Sequence, residues 1–207
     1  MKVCITAQGD SLSSLVDLAE NVELLELAAV VLDKLLFTLA VNSYRGVLGS
    51  AHSTTEAEFI QGARLEPTSG IERLLWGVGI FNESFDAVVG LTCSQGYQIP
   101  ALITQIALDY PEEIWSRERH ITGPQDDEQA QGHRSDISKV TYKTPDYMLA
   151  SAQDYRPGEK GIREHIWQAT MGPDAVVFVN QPKLMSESPA VCPNFWRGNH
   201  ILPRVAQ

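Results

Sequence analysis

The sequence predicts an α+β fold, with an N-terminal α-helical region followed by an antiparallel β-sheet. Three observations carry this. A strongly apolar helical pattern runs from Leu24 to Val41. Further apolar helical stretches extend to about residue 116. Beyond residue 136, short alternating runs are separated by turn chemistry at Thr144-Pro145-Asp146, residues 157–161 and Gly172-Pro173-Asp174. Strands joined by turns this short are antiparallel neighbours. The domain plan is therefore a helical region at 1–116, a polar linker at 117–136 and a sheet region at 137–207.

Ser11 or Ser13 caps a short first helix, Leu12 to Ala19. Asn21 caps a second from Val22 to about Val41, with Glu23 in the first turn, where the helix dipole favours a carboxylate. The polar positions of this second helix fall in a sector of roughly 140°, leaving ~220° apolar. It is expected to be covered on more than one side. Asn42 to Gly70 then breaks the pattern as a long loop. Ser69 starts a helix from Ile71 to Phe81 in which Trp76 is core, and helical stretches follow at Phe85 to Thr92, Ala101 to Leu108 and Pro111 to Trp115. The strands are expected at Ile137 to Tyr142, Tyr147 to Tyr155, Ile162 to Met171 and Ala175 to Asn180. In the third, alternation puts His165, Trp167, Ala169 and Met171 on one face and Ile166, Gln168 and Thr170 on the other. The chain begins almost directly in a strongly apolar helix and its C-terminus, HILPRVAQ, stops in mid-pattern, which reads as a chain cut at one or both ends.

The 207 residues carry 16 Lys and Arg against 26 Asp and Glu, a net charge of −10. That balance argues against a nucleic-acid partner, whose phosphates call for a basic surface. Leu24 to Val41 contains Glu26, Asp33 and Lys34, which speaks against a membrane span. No signal peptide is read at the N-terminus, so the cytoplasm is the default location. Cys4, Cys93 and Cys192 form no disulfide framework or metal knuckle and are expected as buried free thiols. The histidines have no ligand spacing, and Gly77-Val78-Gly79 lies in a helical pattern, so neither a metal nor a nucleotide cofactor is expected.

The long loop holds the densest chemistry. Asn42, Tyr44, Arg45, His52, Glu56, Glu58, Arg64 and Glu66 supply every role of an acid–base site, and Gly46, Gly49 and Gly62 let the loop fold tightly. The plain alternative is a packed loop in which Arg64 pairs with Glu66. Ser50 stands near His52 as a nucleophile–base pair by proximity alone. Among the aromatics, Trp167 and Trp196 are the candidates for stacking on a sugar ring. His165 approaches from the sheet or, more plainly, sits at the edge of its core.

In NSYRGVLGSAH, and in EHIWQATMGPDAVVFVNQP of the strands, the chain resembles large proteins of the heparinase II/III-like and chondroitin/alginate lyase group. The resemblance implies an incomplete α/α toroid followed by a β-sandwich, and a carbohydrate partner. It implies that Asn42 and Arg45 neutralise a uronate carboxylate while Tyr44 and His52 move the proton in β-elimination; from the residues themselves, Arg64, His165, Trp167 and Trp196 are the candidates for holding substrate. Glu56 and Glu58 stand downstream of His52 in place of a His-then-Tyr order. Hydrolysis by Glu66 with one of these carboxylates therefore stays open, as does a non-catalytic module that binds carbohydrate or a partner subunit. A core Tyr44 with loop carboxylates pointing to solvent would favour the last.

Overall fold

The computed structural model describes residues 2–51, 66–108, 112–120, 137–155, 158, 160–161, 166–178, 200–201 and 205. It is an α+β protein, helices first and antiparallel strands after. The chain separates into two compact units. One gathers residues 1–48, 58–111 and 172–174, and the other residues 49–57, 112–171 and 175–207.

In the helical unit, α1 spans Lys2–Leu18 and α2 Val22–Asn42. The first helix begins ten residues before the expected Leu12. Ser11 and Ser13 lie inside it and do not cap it; the Ser13 hydroxyl, like that of Ser14, donates back to the Asp10 carbonyl, at 3.0 and 2.8 Å respectively. Asn21 caps α2 as expected, its Oδ1 accepting from the Leu24 amide at 3.1 Å. Ala28, Leu32, Leu36 and Leu39 form the buried stripe of α2, at helical spacing. Leu24, Leu27, Val30, Val31 and Phe37 face solvent, so the expected cover on more than one side does not hold.

A hairpin of two short strands, β1 (Ser43–Tyr44) and β2 (Val47–Leu48), follows directly. Its two central residues, Arg45 and Gly46, have φ of 51° and 83°, the left-handed pair that a two-residue hairpin turn requires. Next, α3 runs from Pro67 to Trp76, starting four residues before the expected Ile71 and ending before Phe81. Pro67 occupies the first turn, where its missing N–H costs nothing, and Gly77 ends the helix in the left-handed region at φ 76°. A 3₁₀ turn at Glu83–Val88 leads into α4 (Val89–Cys93), and α5 spans Ala101–Leu108, as expected. Cys93 is an exposed thiol, not a buried one. The core joins Val16, Leu36, Leu39, Ile71, Trp76 and Ile103 from these helices.

Two carboxyl-centred ties lock the helices. The Tyr97 hydroxyl donates to Asp33 Oδ1 at 2.6 Å, and burial, with that bond, holds the phenol strongly in its neutral form. Asp17 Oδ1 accepts from the Ser94 hydroxyl at 2.7 Å and from the amides of Gly96 and Gln95 at 2.7 and 3.2 Å. These bonds, led by Ser94, hold the Asp17 carboxyl below its usual range. A carboxyl depressed in the fold stabilises above its unfolded pKa of about 3.9, and the contribution is lost as pH falls through the folded value. Asp17→Asn is therefore expected to melt below wild type near pH 7, and the gap is expected to shrink as the pH is lowered to about 2. A gap independent of pH in thermal melts would contradict the assignment.

In the second unit, five strands form one sheet: β3 (Ile114–His120), β4 (Ile137–Lys143), β5 (Met148–Gln153), β7 (Trp167–Gly172) and β8 (Ala175–Val177), in that spatial order. The pairs β3–β4, β4–β5 and β5–β7 are antiparallel. A separate ladder pairs β6 (Lys160–Gly161) with β9 (His200–Ile201). The helical turn expected through Trp115 is instead part of β3. Isoleucine, tryptophan and alternating polar residues in Ile114–His120 favour a pleated, half-buried strand. The Thr144–Tyr147 turn connects β4 to β5: the Thr144 amide donates to the Tyr147 carbonyl at 2.8 Å, and the Thr144 hydroxyl accepts from the Asp146 and Tyr147 amides.

Candidate functional site

The first group of candidates lies where α2 ends and α3 begins, all within the helical unit. Asn42 is the last residue of α2, fully buried, with its Nδ2 donating to the Thr38 carbonyl at 2.9 Å. Tyr44 in β1 is 0% exposed. Arg45, at the hairpin tip, places its guanidinium 5.2 Å from the centre of the Tyr44 ring and faces solvent. Glu66 is buried at the N-cap position of α3. Its carboxylate accepts the Thr68 hydroxyl and its carbonyl accepts Asn82 Nδ2 at 2.8 Å. The local dipole favours a carboxylate there.

The tight approach of the hairpin to the segment after α3 explains this burial. A Cβ on Gly46 would lie 2.1 Å from the Gly79 nitrogen, so backbone meets backbone. The Ser69 hydroxyl, from the first turn of α3, accepts the Ile80 amide at 2.9 Å on the same side. Asn42, Tyr44 and Glu66 are thus built into a buried polar junction, and Arg45 alone of these four presents its side chain outward. His52, Arg64, His165 and Trp196, with Glu56 and Glu58, lie outside the described residues.

The second candidate surface is the more open face of the five-stranded sheet. The register places Trp115, Tyr142, Leu149 and Ala169 in one row across β3, β4, β5 and β7. Arg117, Val140, Ser151 and Trp167 form the next row, and Arg119, Ser138 and Gln153 a third. Trp115 is 62% exposed, and its ring lies 4.7 Å from that of Tyr142, which in turn meets Tyr147 at 6.0 Å. The Tyr142 hydroxyl donates to Glu113 Oε1 at 2.8 Å. That bond, with smaller contributions from desolvation and the nearby charge, pushes the phenol up to about 12. The ring therefore stays neutral and oriented through the physiological range. Trp167 is half-buried and also packs against the small cluster of Ala51, Ala152 and Ile166.

The alternation expected around Trp167 is present, but its sense differs from that of an apolar core. Gln168 and Thr170 are the buried members, while Trp167 and Ala169 are half-buried and Met171 is exposed. The buried polar groups satisfy each other, with Gln168 Nε2 donating to the Thr170 hydroxyl at 2.8 Å. Trp115 is the exposed aromatic missing from the sequence-derived set. The signal was present: Ile114, Ser116 and Glu118 alternate with Trp115, Arg117 and Arg119 at the period of a strand.

Chemically, the open face offers flat apolar rings beside guanidinium, hydroxyl and amide groups. Such a surface stacks on the C–H face of a ring-shaped ligand and bonds its rim. Among the described residues no three His, Cys, Asp or Glu side chains gather as metal ligands, and no helix is long and apolar enough to cross a membrane. No protein family, curated protein or solved structure matches the chain.

Proposed function

We propose that the chain is a carbohydrate-binding protein whose recognition surface is the open face of the sheet, centred on Trp115, Tyr142 and Tyr147. The helical unit and the sheet unit are, in this reading, parts of an α/α toroid and a β-sandwich like those of the heparinase II/III-like group. The observation that carries the proposal is the exposed Trp115 on β3 packed at 41° against the half-buried Tyr142 on β4, with Arg117 in the next row. An aromatic pair left in water at the edge of a sheet gains by covering its apolar faces, and a sugar ring covers them without desolvating the hydroxyls at its rim. Burial of Asn42 and Tyr44 supports binding over the lyase reading, and burial of Glu66 supports it over hydrolysis, because each of those roles needs its group within reach of a substrate atom.

The test is calorimetric titration of the wild-type chain with acidic and neutral oligosaccharides, beside unsaturated-uronate and reducing-sugar assays. Binding without turnover is expected. Trp115→Ala is expected to weaken it about tenfold, equivalent to about 1.4 kcal/mol, and the tryptophan emission of the wild type is expected to shift on saturation. Uronate unsaturation by the wild type would restore the lyase reading. Unchanged affinity in Trp115→Ala would remove the aromatic pair from the site.

A further inference from the structure

The face of α2 turned away from the core is apolar, and sugar binding does not use it. Leu24, Leu27, Val30, Val31 and Phe37 are exposed there, Val30 at 63%. With 3.6 residues per turn, Glu23, Leu27, Val30, Lys34 and Phe37 fall in one stripe about 80° wide. It lies opposite the buried Ala28, Leu32, Leu36 and Leu39. The alternating steps of four and three between its members are those of a seam between two helices. An apolar stripe this continuous marks a surface that another element covers. Glu23 and Lys34 are exposed, and neither is paired with an opposite charge among the described residues.

The order of the stripe says what covers it. Reversed, the row Glu23, Leu27, Val30, Lys34 matches itself with the charges exchanged. Its midpoint lies between Ala28 and Ala29. A second α2 laid antiparallel about that point sets Leu27 against Val30 and Glu23 against Lys34, each pair occurring twice. A parallel copy would instead set Glu23 against Glu23 and Lys34 against Lys34, which repel. Within one chain the two charges stand 34 − 23 = 11 positions apart, about 16.5 Å along the axis, too far to meet. On one flank, Leu24 of each copy and Val31 of the other differ by about 3 Å in axial level. At each end, Phe37 stands level with the turn between α1 and α2 of the second copy, where Leu18 is 79% exposed.

We propose that α2 is a dimer seam, with two copies of this chain pairing antiparallel across Glu23, Leu27, Val30 and Lys34. Each copy meets the other through the same residues, so the pair closes on a two-fold axis and adds no third copy. The apolar centre supplies the association, and the two charge pairs at its rim fix direction and register. One helix from each copy makes a small interface, so the expected dissociation constant is of the order of 10–100 µM. At about 1 µM, well below that constant, the chain is monomeric and Leu27 stays in water.

This inference is independent of sugar binding, because Trp115 and Tyr142 belong to the other unit. Sedimentation velocity of the full chain, from about 1 to about 300 µM, tests it. The wild type is expected to pass from monomer to dimer across that range. Glu23→Lys and Lys34→Glu each oppose like charges at both ends, and each is expected to weaken the dimer at least about tenfold. An equimolar mixture of these two variants restores both opposite pairs and is expected to associate as the wild type does. Val30→Asp, at a position the monomer leaves in water, is expected to abolish the dimer with helical circular dichroism unchanged. A wild type still monomeric at about 300 µM overturns the proposal, and that readout needs no variant to fold. So does growth past the dimer, a folded charge variant that associates as the wild type does, or a mixture no better than its components.

Discussion

Gly46→Ala is expected to destabilise the helical unit by about 2–5 kcal/mol, a strained φ plus the backbone shift needed to relieve overlap. At φ 83°, an L side chain is already strained. The new Cβ would also meet the Gly79 nitrogen at 2.1 Å, the Gly79 Cα at 2.3 Å and the Val78 carbonyl carbon at 2.9 Å. None of these atoms can rotate aside. Gly77→Ala is the matched control. Its φ of 76° is as unfavourable, yet nothing lies within 4 Å of the added carbon, so it should cost only about 1–2 kcal/mol. Urea unfolding followed by helical circular dichroism separates the two variants. Equal losses would mean that the hairpin does not pack on the segment after α3.

The second large effect belongs to α2. Leu39 is 0% exposed, within the stripe that faces the other helices, and Leu39→Ala is expected to cost about 2–5 kcal/mol as lost transfer energy and a residual cavity. Leu27, on the same helix, is 57% exposed, and Leu27→Ala should stay within about 0.5 kcal/mol. The same unfolding measurement reads both. A similar cost at the two positions would show that Leu27 is covered in solution, and that α2 buries more than one face after all.

What the sequence made legible were the elements whose signals are local. Asn21 and the apolar period of α2 mark that helix, the run Ala101–Leu108 marks α5, and alternation marks β4, β5 and β7. Local rules in competition caused the misplacements. Ser69 looked like a helix cap, whereas Pro67 and Gly77 are the stronger start and stop. Gly9 and the polar residues around it concealed the early part of α1, which continues through them. The candidate sites divide in the same way. Asn42, Tyr44, Arg45 and Glu66 were visible as residues able to do chemistry, but the burial of Asn42, Tyr44 and Glu66 is decided by a hairpin meeting the segment after α3. Ser50, buried, accepts a hydrogen bond from Lys139, 89 positions away in sequence, and no periodicity reports such a pairing. The exposed Trp115 was accessible to alternation alone, had the charges between the apolar residues been read as a strand's outer row.

The turn at Thr144–Tyr147 acts on more than the two strands it joins. Its two central residues, Pro145 and Asp146, fix Lys143 opposite Met148, and from there every later pair in β4 and β5 follows. Side chains in strands alternate with a period of two. The turn therefore sets parity: lengthening it by one residue, without a compensating bulge, would exchange the two sides of β5. Leu149 and Ser151 would then stand with Lys139 and Lys143, and Met148 and Ala150 with Tyr142. A two-residue insertion preserves the sides. Which side of β5 faces with Trp115 and Tyr142, and which with Lys139 and Lys143, thus depends on whether the loop length is odd or even.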